Sequence, residues 1–334
     1  MIKGLAITPP VLGRITIGRV VERDGKRLPQ MDDQFTLTSQ VQSGGEWVPH
    51  PLDAQLREQQ GESKLRRIPV GLPFSEPSLN LRAEYALFDR DAGRPLCVGD
   101  GETCRRRTPE GMVTEACPGP DACKLGASGG CKPFGRLNVV IGDEDPLGTF
   151  IFRTTGFNSI RTLAARLHYF QAVSGKRLAC LPLELRIRGK STRQSFGRPV
   201  NYVDLTLRQG WTLEETLAEA DRLQQEREAM GFDQKALDRA AKQGLANGAF
   251  EESPEEGGAI AEEFYPGQPH THATAPSGSA QSTTTTKLSE RLATRAPVSD
   301  SGQEGSATLE PSTPPGAGTS RASGNGSQPP SSGA

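Results

Sequence analysis

Five of the six cysteines in this 334-residue chain lie between Cys97 and Cys131. Gly, Pro, Asp and Ser are frequent between them, and these residues are typical of turns rather than of helices or strands. A segment of this composition has little apolar surface to bury, so we expect thiolates around one Zn(II) ion to hold it together. The expected ligands leave 12, 5 and 7 residues between successive thiols and are Cys104, Cys117, Cys123 and Cys131.

The identity of the fourth ligand is open, because Cys97 competes with Cys104 for it. The spacing differs from the paired C-x2-C motifs of zinc ribbons, and unligated thiols in a polar loop are the alternative interpretation. Four thiolates leave no coordination position for a substrate, so this zinc would be structural rather than catalytic. Cys180 lies in an apolar segment and is predicted to be a core residue.

The segment Arg153–Arg208 is strongly basic, with 11 Lys or Arg residues against two acidic residues. It contains a predicted helix start rich in Thr, Asn and Ser, and both helix N-termini and arginines bind phosphate. A nucleic-acid or partner-binding surface is therefore predicted here, and a solvated charged face is the alternative. The expected binding residues are Arg153, Asn158, Arg161, Arg166, Lys176, Arg177, Arg188, Lys190 and Arg193.

Signatures of an enzyme are scarce. The chain has only four histidines, and it lacks the G-x-S-x-G, P-loop and H-E-x-x-H motifs. The acidic run at residues 143–145 has the residue types that ligate a cation but is more typical of a turn. We therefore predict no catalytic residues and no small-molecule substrate.

The surrounding pattern predicts an α+β fold. Alternating apolar residues indicate strands over most of residues 12–48 and 67–89, a hairpin at 135–155, and two further strands at 178–188 and 201–207. Residues 52–66 are too polar for a core and predict a surface excursion. A basic helix should follow a cap at Asn158 or Ser159, and a capping box at Thr212 and Glu215 should open a helix to about Met230. A second such helix should start after Asp233 and end near residue 246.

Three regions follow from this pattern. Residues 1–210 should form a mostly antiparallel β domain with one packed basic helix and the cysteine-rich zinc loop. Residues 211–248 should form a helical extension. Residues 249–334, acidic and then rich in Ser, Thr, Pro and Gly, cannot bury enough apolar surface to fold and should be a disordered tail. Within it, residues 286–296 are either a helix that folds on a partner or a less biased piece of tail.

No export signal or membrane-spanning run is visible, which favours a cytoplasmic protein whose thiols stay reduced. A basic body is followed by a tail with 10 acidic and four basic residues between Glu251 and Ala334. This asymmetry points to polyanionic partners such as DNA and not to a membrane.

The segments CVGDGETC, ACPGPDAC, GGCKPFGRLNVVIGDEDPLGTFIFRTTGFNSIRTLAARLHYF, LPLELRIRGKSTRQS and NYVDL resemble one family. They are similar to phage recombination directionality factors, the gene-3-like partners of serine integrases. They also resemble zinc-motif proteins of integrative and conjugative elements that carry the label "hydrolase or metal-binding protein". The resemblance covers about residues 10–230 and is specific from Cys97 to Leu207.

This resemblance implies a cysteine-bound metal and a protein that binds an integrase on DNA and switches it from integration to excision. Cys117, Cys123 and Cys131 match the cysteines that the family shares, whereas Cys104 matches the relatives from integrative elements better. The resemblance implies no catalytic residues.

The expected function is thus that of a non-enzymatic accessory protein of DNA recombination in a phage or integrative element, with a recombinase, DNA or both as partners. The alternative is a single-strand nucleic-acid-binding or replication accessory protein, although its stacking platforms would need more aromatic residues than the 5% present. A hydrolase is a third class, for which the residues offer no acid–base constellation.

Overall fold

A large sheet organises the chain. In the computed structural model the described residues are 9–23, 26–44, 46–142, 144–191, 193, 195, 197, 199–247, 257–258, 260–261 and 264–265. All belong to Met1–Ala273, one of the two units into which the chain divides. Most of the predicted tail, including 286–296, lies outside the described residues, as do Asp143, Thr192 and Arg198.

The large sheet has nine strands in the order β3-β2-β1-β10-β9-β5-β6-β7-β8. Its pairs are antiparallel except for β1 and β10, which run parallel. The strands are β1 Val11–Arg23, β2 Lys26–Ser43, β3 Glu46–Pro49, β5 Leu81–Phe88, β6 Pro95–Gly99, β7 Thr103–Thr108, β8 Gly111–Ala116, β9 Lys132–Val139 and β10 Thr149–Thr154.

A smaller sheet has three antiparallel strands in the order β12-β11-β4. They are β4 Arg67–Val70, β11 Leu183–Ser191 and β12 Pro199–Leu207. The helices are α1 Pro51–Gln60, α2 Pro77–Asn80, α3 Lys124–Gly129, α4 Phe157–Val173, α5 Leu213–Ala229 and α6 Gln234–Asn247, with a 3-10 turn at Leu178–Cys180.

The main core lies where α4 meets both sheets. One face of α4 carries the buried side chains of Leu163 and Leu167, and the helix contacts β12 of the small sheet and β5 and β9 of the large one. Phe150 and Leu137 from the large sheet and Leu185 from the small sheet join the same cluster, each fully buried. The predicted α+β fold with a mostly antiparallel sheet and one packed basic helix is confirmed. The domain boundaries at 210 and 248 remain predictions.

The description of the cysteine segment as turns alone is wrong. Between Cys97 and Cys131 the chain forms β7, β8 and α3, and β6 ends just after Cys97. Strands β6 to β8 extend the large sheet beyond β5, each hydrogen-bonded to its neighbour. Every residue of β8 is exposed, so backbone pairing with β7 rather than apolar burial holds this strand, and its sequence carries no apolar pattern to reveal it.

Two further local expectations need correction. Helix α4 begins after Gly156, which makes no side-chain cap, whereas the Ser159 hydroxyl accepts the Val203 backbone N–H at 3.0 Å. Residues 52–66 are not wholly superficial, because they include most of α1 and bury Leu56 and Leu65. By contrast, the capping box at Thr212 and Glu215 is confirmed, and Asp233 accepts the Ala236 N–H at 2.9 Å at the start of α6.

Part of the predicted tail packs on the large sheet. Ile260, Phe264 and Tyr265 are buried against Phe88 of β5 and Phe134 of β9. The Tyr265 hydroxyl donates a hydrogen bond to the Phe88 carbonyl at 2.9 Å. The chain passes Gly93 so closely that a Cβ there would lie 1.9 Å from the Gly257 carbonyl oxygen. These few apolar residues lie in an acidic segment, so composition alone did not predict that they pack against the sheet.

Candidate functional site

The five clustered cysteines come from five consecutive pieces of structure. Cys97 lies on β6 and Cys104 on β7. Cys117 directly follows β8, Cys123 is the N-cap of α3, and Cys131 directly precedes β9. The three strands and the short helix thus carry thiols that are distant in sequence to one place.

All five thiols line one small cavity of about 20 Å³. Its wall is tightly packed, because a Cβ at Gly99 would lie 2.6 Å from the Cys104 Cβ and 3.0 Å from the Cys117 Sγ. Only glycine fits at that position. Tyr85 and Leu87 from β5 and Arg106 from β7 are also part of the lining. Cys104 is buried, and the other four cysteines of the cavity are half-buried.

Hydrogen-bond donors converge on Cys123. The Gly126 backbone N–H at the start of α3 donates to its sulfur at 3.4 Å, and a guanidinium nitrogen of Arg106 lies 3.7 Å from the same atom. A backbone N–H and a guanidinium thus both point at the Cys123 sulfur.

Two thiols of the cavity, those of Cys104 and Cys131, have pKa values raised by their surroundings. Burial raises the pKa of Cys104 to about 12, and a hydrogen bond with Cys97 adds to the shift. Burial, and then the nearby thiols of Cys97, Cys117 and Cys123, raise the pKa of Cys131 to about 11. A cation in the cavity would reverse these shifts, because ligation requires deprotonated sulfur.

The donor set fits a zinc ion in chemistry but is not arranged around a single point. Clustered sulfur ligands in a small, partly buried cavity are those of structural zinc sites. In the part of the chain that the structure describes, however, no three His, Cys, Asp or Glu side chains stand in the arrangement of a formed metal site. Cys97 and Cys104 both line the cavity, so the choice of fourth ligand stays open.

The predicted basic residues separate into groups. Arg166 of α4 and Arg188 of β11 meet at Asp204 of β12, at 3.0 and 2.6 Å. Lys176 and Arg177 follow the C-terminal end of α4, and Arg177 pairs with Asp221 of α5 at 3.1 Å. Of the remaining predicted residues, Arg153 is half-buried on β10, opposite Arg136 of β9. Exposed positions are occupied by Asn158, Arg161, Lys190 and Arg193.

An open groove of about 560 Å³ lies beside the Arg166–Asp204–Arg188 cluster. Its walls come from the second half of α4, from β11, from the end of β12 and from the turn that leads into α5. Four residues of the groove were not among the predicted binding residues, namely Arg186, Arg208, Tyr169 and Trp211. The alternation of basic residues along β11 was the available signal for Arg186.

Two buried carboxylates lie among these arginines. Asp204 and Glu184 are 2% and 4% exposed. Glu184 accepts from the Gln209 backbone N–H at 3.1 Å and pairs with Arg186 at 3.5 Å. The groove therefore has a fixed, net positive polar wall, since four arginines line it and two carboxylates pair with three of them.

A sequence profile of the Gp3-like family, described as recombination directionality factor-like, matches residues 12–208. This stretch is more than half of the chain and includes both the cysteine cavity and most of the groove. The chain belongs to this family. Membership confirms the resemblance to phage recombination directionality factors, a family that suggests a role in phage recombination.

No curated protein and no solved structure matches the chain significantly. Among the described residues, no helix is both long and apolar enough to cross a membrane.

Proposed function

We propose that this protein is a non-enzymatic accessory factor that binds the recombinase–DNA complex of a phage or integrative element and sets the direction of recombination. The observation that carries this proposal is the family match over residues 12–208. It is supported by the two candidate sites, because one is closed around thiols and the other is an open, positively charged groove suited to binding.

Three exposed basic residues, one on α4 and two on the β11–β12 hairpin, are the proposed contact with DNA or recombinase. Arg161 lies on the helix, and Lys190 and Arg193 lie at the end of the β11–β12 hairpin, all exposed. Such side chains bind phosphate without sequence preference, and their contribution falls as salt rises.

A recombination assay with the recombinase of the same element tests the proposal. Adding this protein should promote recombination between the hybrid sites that flank an integrated element and suppress recombination between the original sites. The variant Arg161→Glu/Lys190→Glu should need more protein for the same effect. Lys235→Glu/Arg239→Glu, two exposed changes on α6, is the charge-matched control. An unchanged ratio of the two reactions would refute the proposal.

The single-strand-binding alternative makes a different prediction. It requires that the protein by itself, without a recombinase, binds a single-stranded oligonucleotide of about 30 nucleotides regardless of sequence. Tyr169 and Trp211 are the exposed aromatic residues beside arginines that would stack bases in that case. Tight binding of single strands without any effect on the direction of recombination would favour this alternative.

We also propose that the cysteine cavity holds one structural zinc ion. Cys117, Cys123 and Cys131 would bind it, with Cys104 or Cys97 as the fourth ligand. When bound, the ion would join the end of β8 and the start of α3 to the start of β9, and to β7 or β6 through the fourth ligand, and would supply no chemistry beyond that. The pairing of all-sulfur donors with a closed cavity supports this assignment.

Metal analysis of freshly reduced protein tests the zinc proposal. We expect about one zinc per chain, and Cys180→Ala should leave that stoichiometry unchanged, since Cys180 is buried in the main core. Comparison of Cys97→Ser with Cys104→Ser identifies the fourth ligand, because only the true ligand's loss should weaken zinc binding strongly. Protein purified under reducing conditions without any bound metal would contradict the proposal.

A further inference from the structure

The groove beside α4 combines fixed positive charge with exposed apolar side chains. Arg166, Arg186, Arg188 and Arg208 line it. Tyr169, Val173, Leu213 and Trp211 stand around it and are 67%, 50%, 45% and 38% exposed. Soluble proteins rarely keep four large apolar side chains exposed together without a use for them.

Buried carboxylates hold the arginines in place. Asp204 accepts the Nε–H groups of Arg166 and Arg188, and Glu184 lies beside the Nε of Arg186. A guanidinium has five N–H donors, so these pairs leave terminal N–H groups for a ligand. Arginines positioned in this way lose little conformational entropy when they bind a carboxylate.

The edge of the small sheet is not the binding element. Strand β12 is an edge strand, but its Val203 N–H donates to the Ser159 hydroxyl at 3.0 Å and its Leu205 N–H donates to Asp204 at 2.9 Å. Side chains thus occupy the backbone groups that an added strand would need. Recognition in the groove must use side chains.

We propose that this groove is the docking site for a segment of the recombinase in which acidic residues surround an aromatic or branched aliphatic side chain. The acidic residues would pair with the terminal N–H groups of the arginines, and the apolar side chain would lie between Tyr169 and Trp211. Arg, Tyr and Trp are the residues most enriched at the energetic centre of protein interfaces.

A protein segment fits the groove better than a nucleic acid. Val173 and Leu213 offer contact to an apolar side chain but no stacking surface to a base. Asp204 and Glu184 reduce the positive charge that a phosphate backbone would meet. The partner assignment rests on the proposed function, since the recombinase is the partner that this function requires.

Peptide binding by the full-length protein tests the inference. Overlapping peptides of about 15 residues that tile the recombinase of the element are immobilised as probes. The variant Tyr169→Ala/Arg186→Gln changes the groove, and Phe232→Ala/Arg239→Gln removes an exposed aromatic and an arginine elsewhere as the matched control. Thermal unfolding of both variants checks that each is folded.

We expect one or a few peptides with acidic residues around an apolar one to bind, with about tenfold weaker binding to the groove variant and no change for the control. Lack of any bound peptide, or equal binding by a folded groove variant, would overturn the inference. The proposed function would survive that result if the protein still changes the direction of recombination.

Two other occupants are distinguished in the same experiment. A labelled single strand of about 30 nucleotides and a peptide of residues 249–273 of this chain serve as additional probes. If the groove variant weakens only the oligonucleotide, the groove is a nucleic-acid site. If it weakens only the peptide from the tail, the groove binds the protein's own tail. Either result would overturn the inference.

Discussion

The cysteine cavity and the arginine groove each bring together groups that are costly to cluster, but they differ in size and in exposure to solvent. The cavity has about 20 Å³ and its thiols face one another. The groove has about 560 Å³ and its arginines face solvent while buried carboxylates hold them from behind. A closed cluster can act only on the protein's own structure, whereas an open one is available to a partner. We therefore expect damage to the first to reduce stability and damage to the second to reduce binding.

The largest expected effect tests the closed half of this comparison. Because zinc binding by small thiolate sites contributes about 10 kcal/mol or more to folding, the variant Cys117→Ser/Cys123→Ser should lose its metal and unfold β7, β8 and α3. Limited proteolysis between residues 97 and 131 should show the change. Cys180→Ala is the control, and it should keep both the metal and the protease resistance. A double variant as resistant as the parent would show that this region stays folded without a metal ion and without these two thiols.

The apolar cluster beside the cavity should also be structural. Phe264 is fully buried against Phe88 and Phe134, so Phe264→Ala should cost about 3 kcal/mol of local stability. Hydrogen exchange in β5 and β9 measures this loss, with Phe157→Ala as the control, since Phe157 is 58% exposed. Unchanged protection in β5 and β9 would mean that the docked residues add nothing to the sheet.

Asp204 tests whether a residue of the groove can also contribute to stability, because it holds two of the groove's arginines and is itself buried. Asp204→Asn leaves Arg166 and Arg188 without their shared negative charge, and we expect a loss of about 1–3 kcal/mol in the free energy of unfolding. Both arginines are about 40% exposed at their side chains, so solvent limits the effect. Denaturant unfolding provides the measurement. Glu219→Gln, which changes an exposed pair with Arg222, should cost much less.

The smallest predicted effect concerns the wall of the groove. Thr212 caps α5 between Trp211 and Leu213, and Thr212→Ala should lower stability by about 1 kcal/mol. Thr212→Ser, which keeps the hydroxyl, should behave like the parent in thermal unfolding. If Thr212→Ala weakens binding in the groove by more than its stability loss explains, the cap also positions Trp211 for the partner.

Local rules made much of the fold predictable. Alternating apolar residues located β1, β2 and β5, and short apolar runs located the hairpin of β9 and β10, most of whose residues are buried on both faces. The spacing of Thr212 and Glu215 located the start of α5, since a capping box is a local interaction. The cysteines pointed to one site through their clustering alone, and the structure brings all five to one cavity.

Other features could not be found locally. Strand β8 is exposed along its whole length, so its extended conformation depends on backbone pairing with β7. Ser159 has the residue type of a helix cap but bonds Val203 of a distant strand. Ile260, Phe264 and Tyr265 sit in an acidic segment, and only the apolar surface of Phe88 and Phe134 shows why they pack.

The sequence by itself determined the fold class, the clustering of the cysteines and the family, because all three depend on residue types at short spacing. The tertiary structure decided which charges act together. It paired Arg166 and Arg188 with Asp204, brought Arg186 and Arg208 to the same groove, and paired Arg177 with Asp221 instead. Charge interactions depend on distance in space, and the sheets and helices of the described residues bring together side chains that composition can only count.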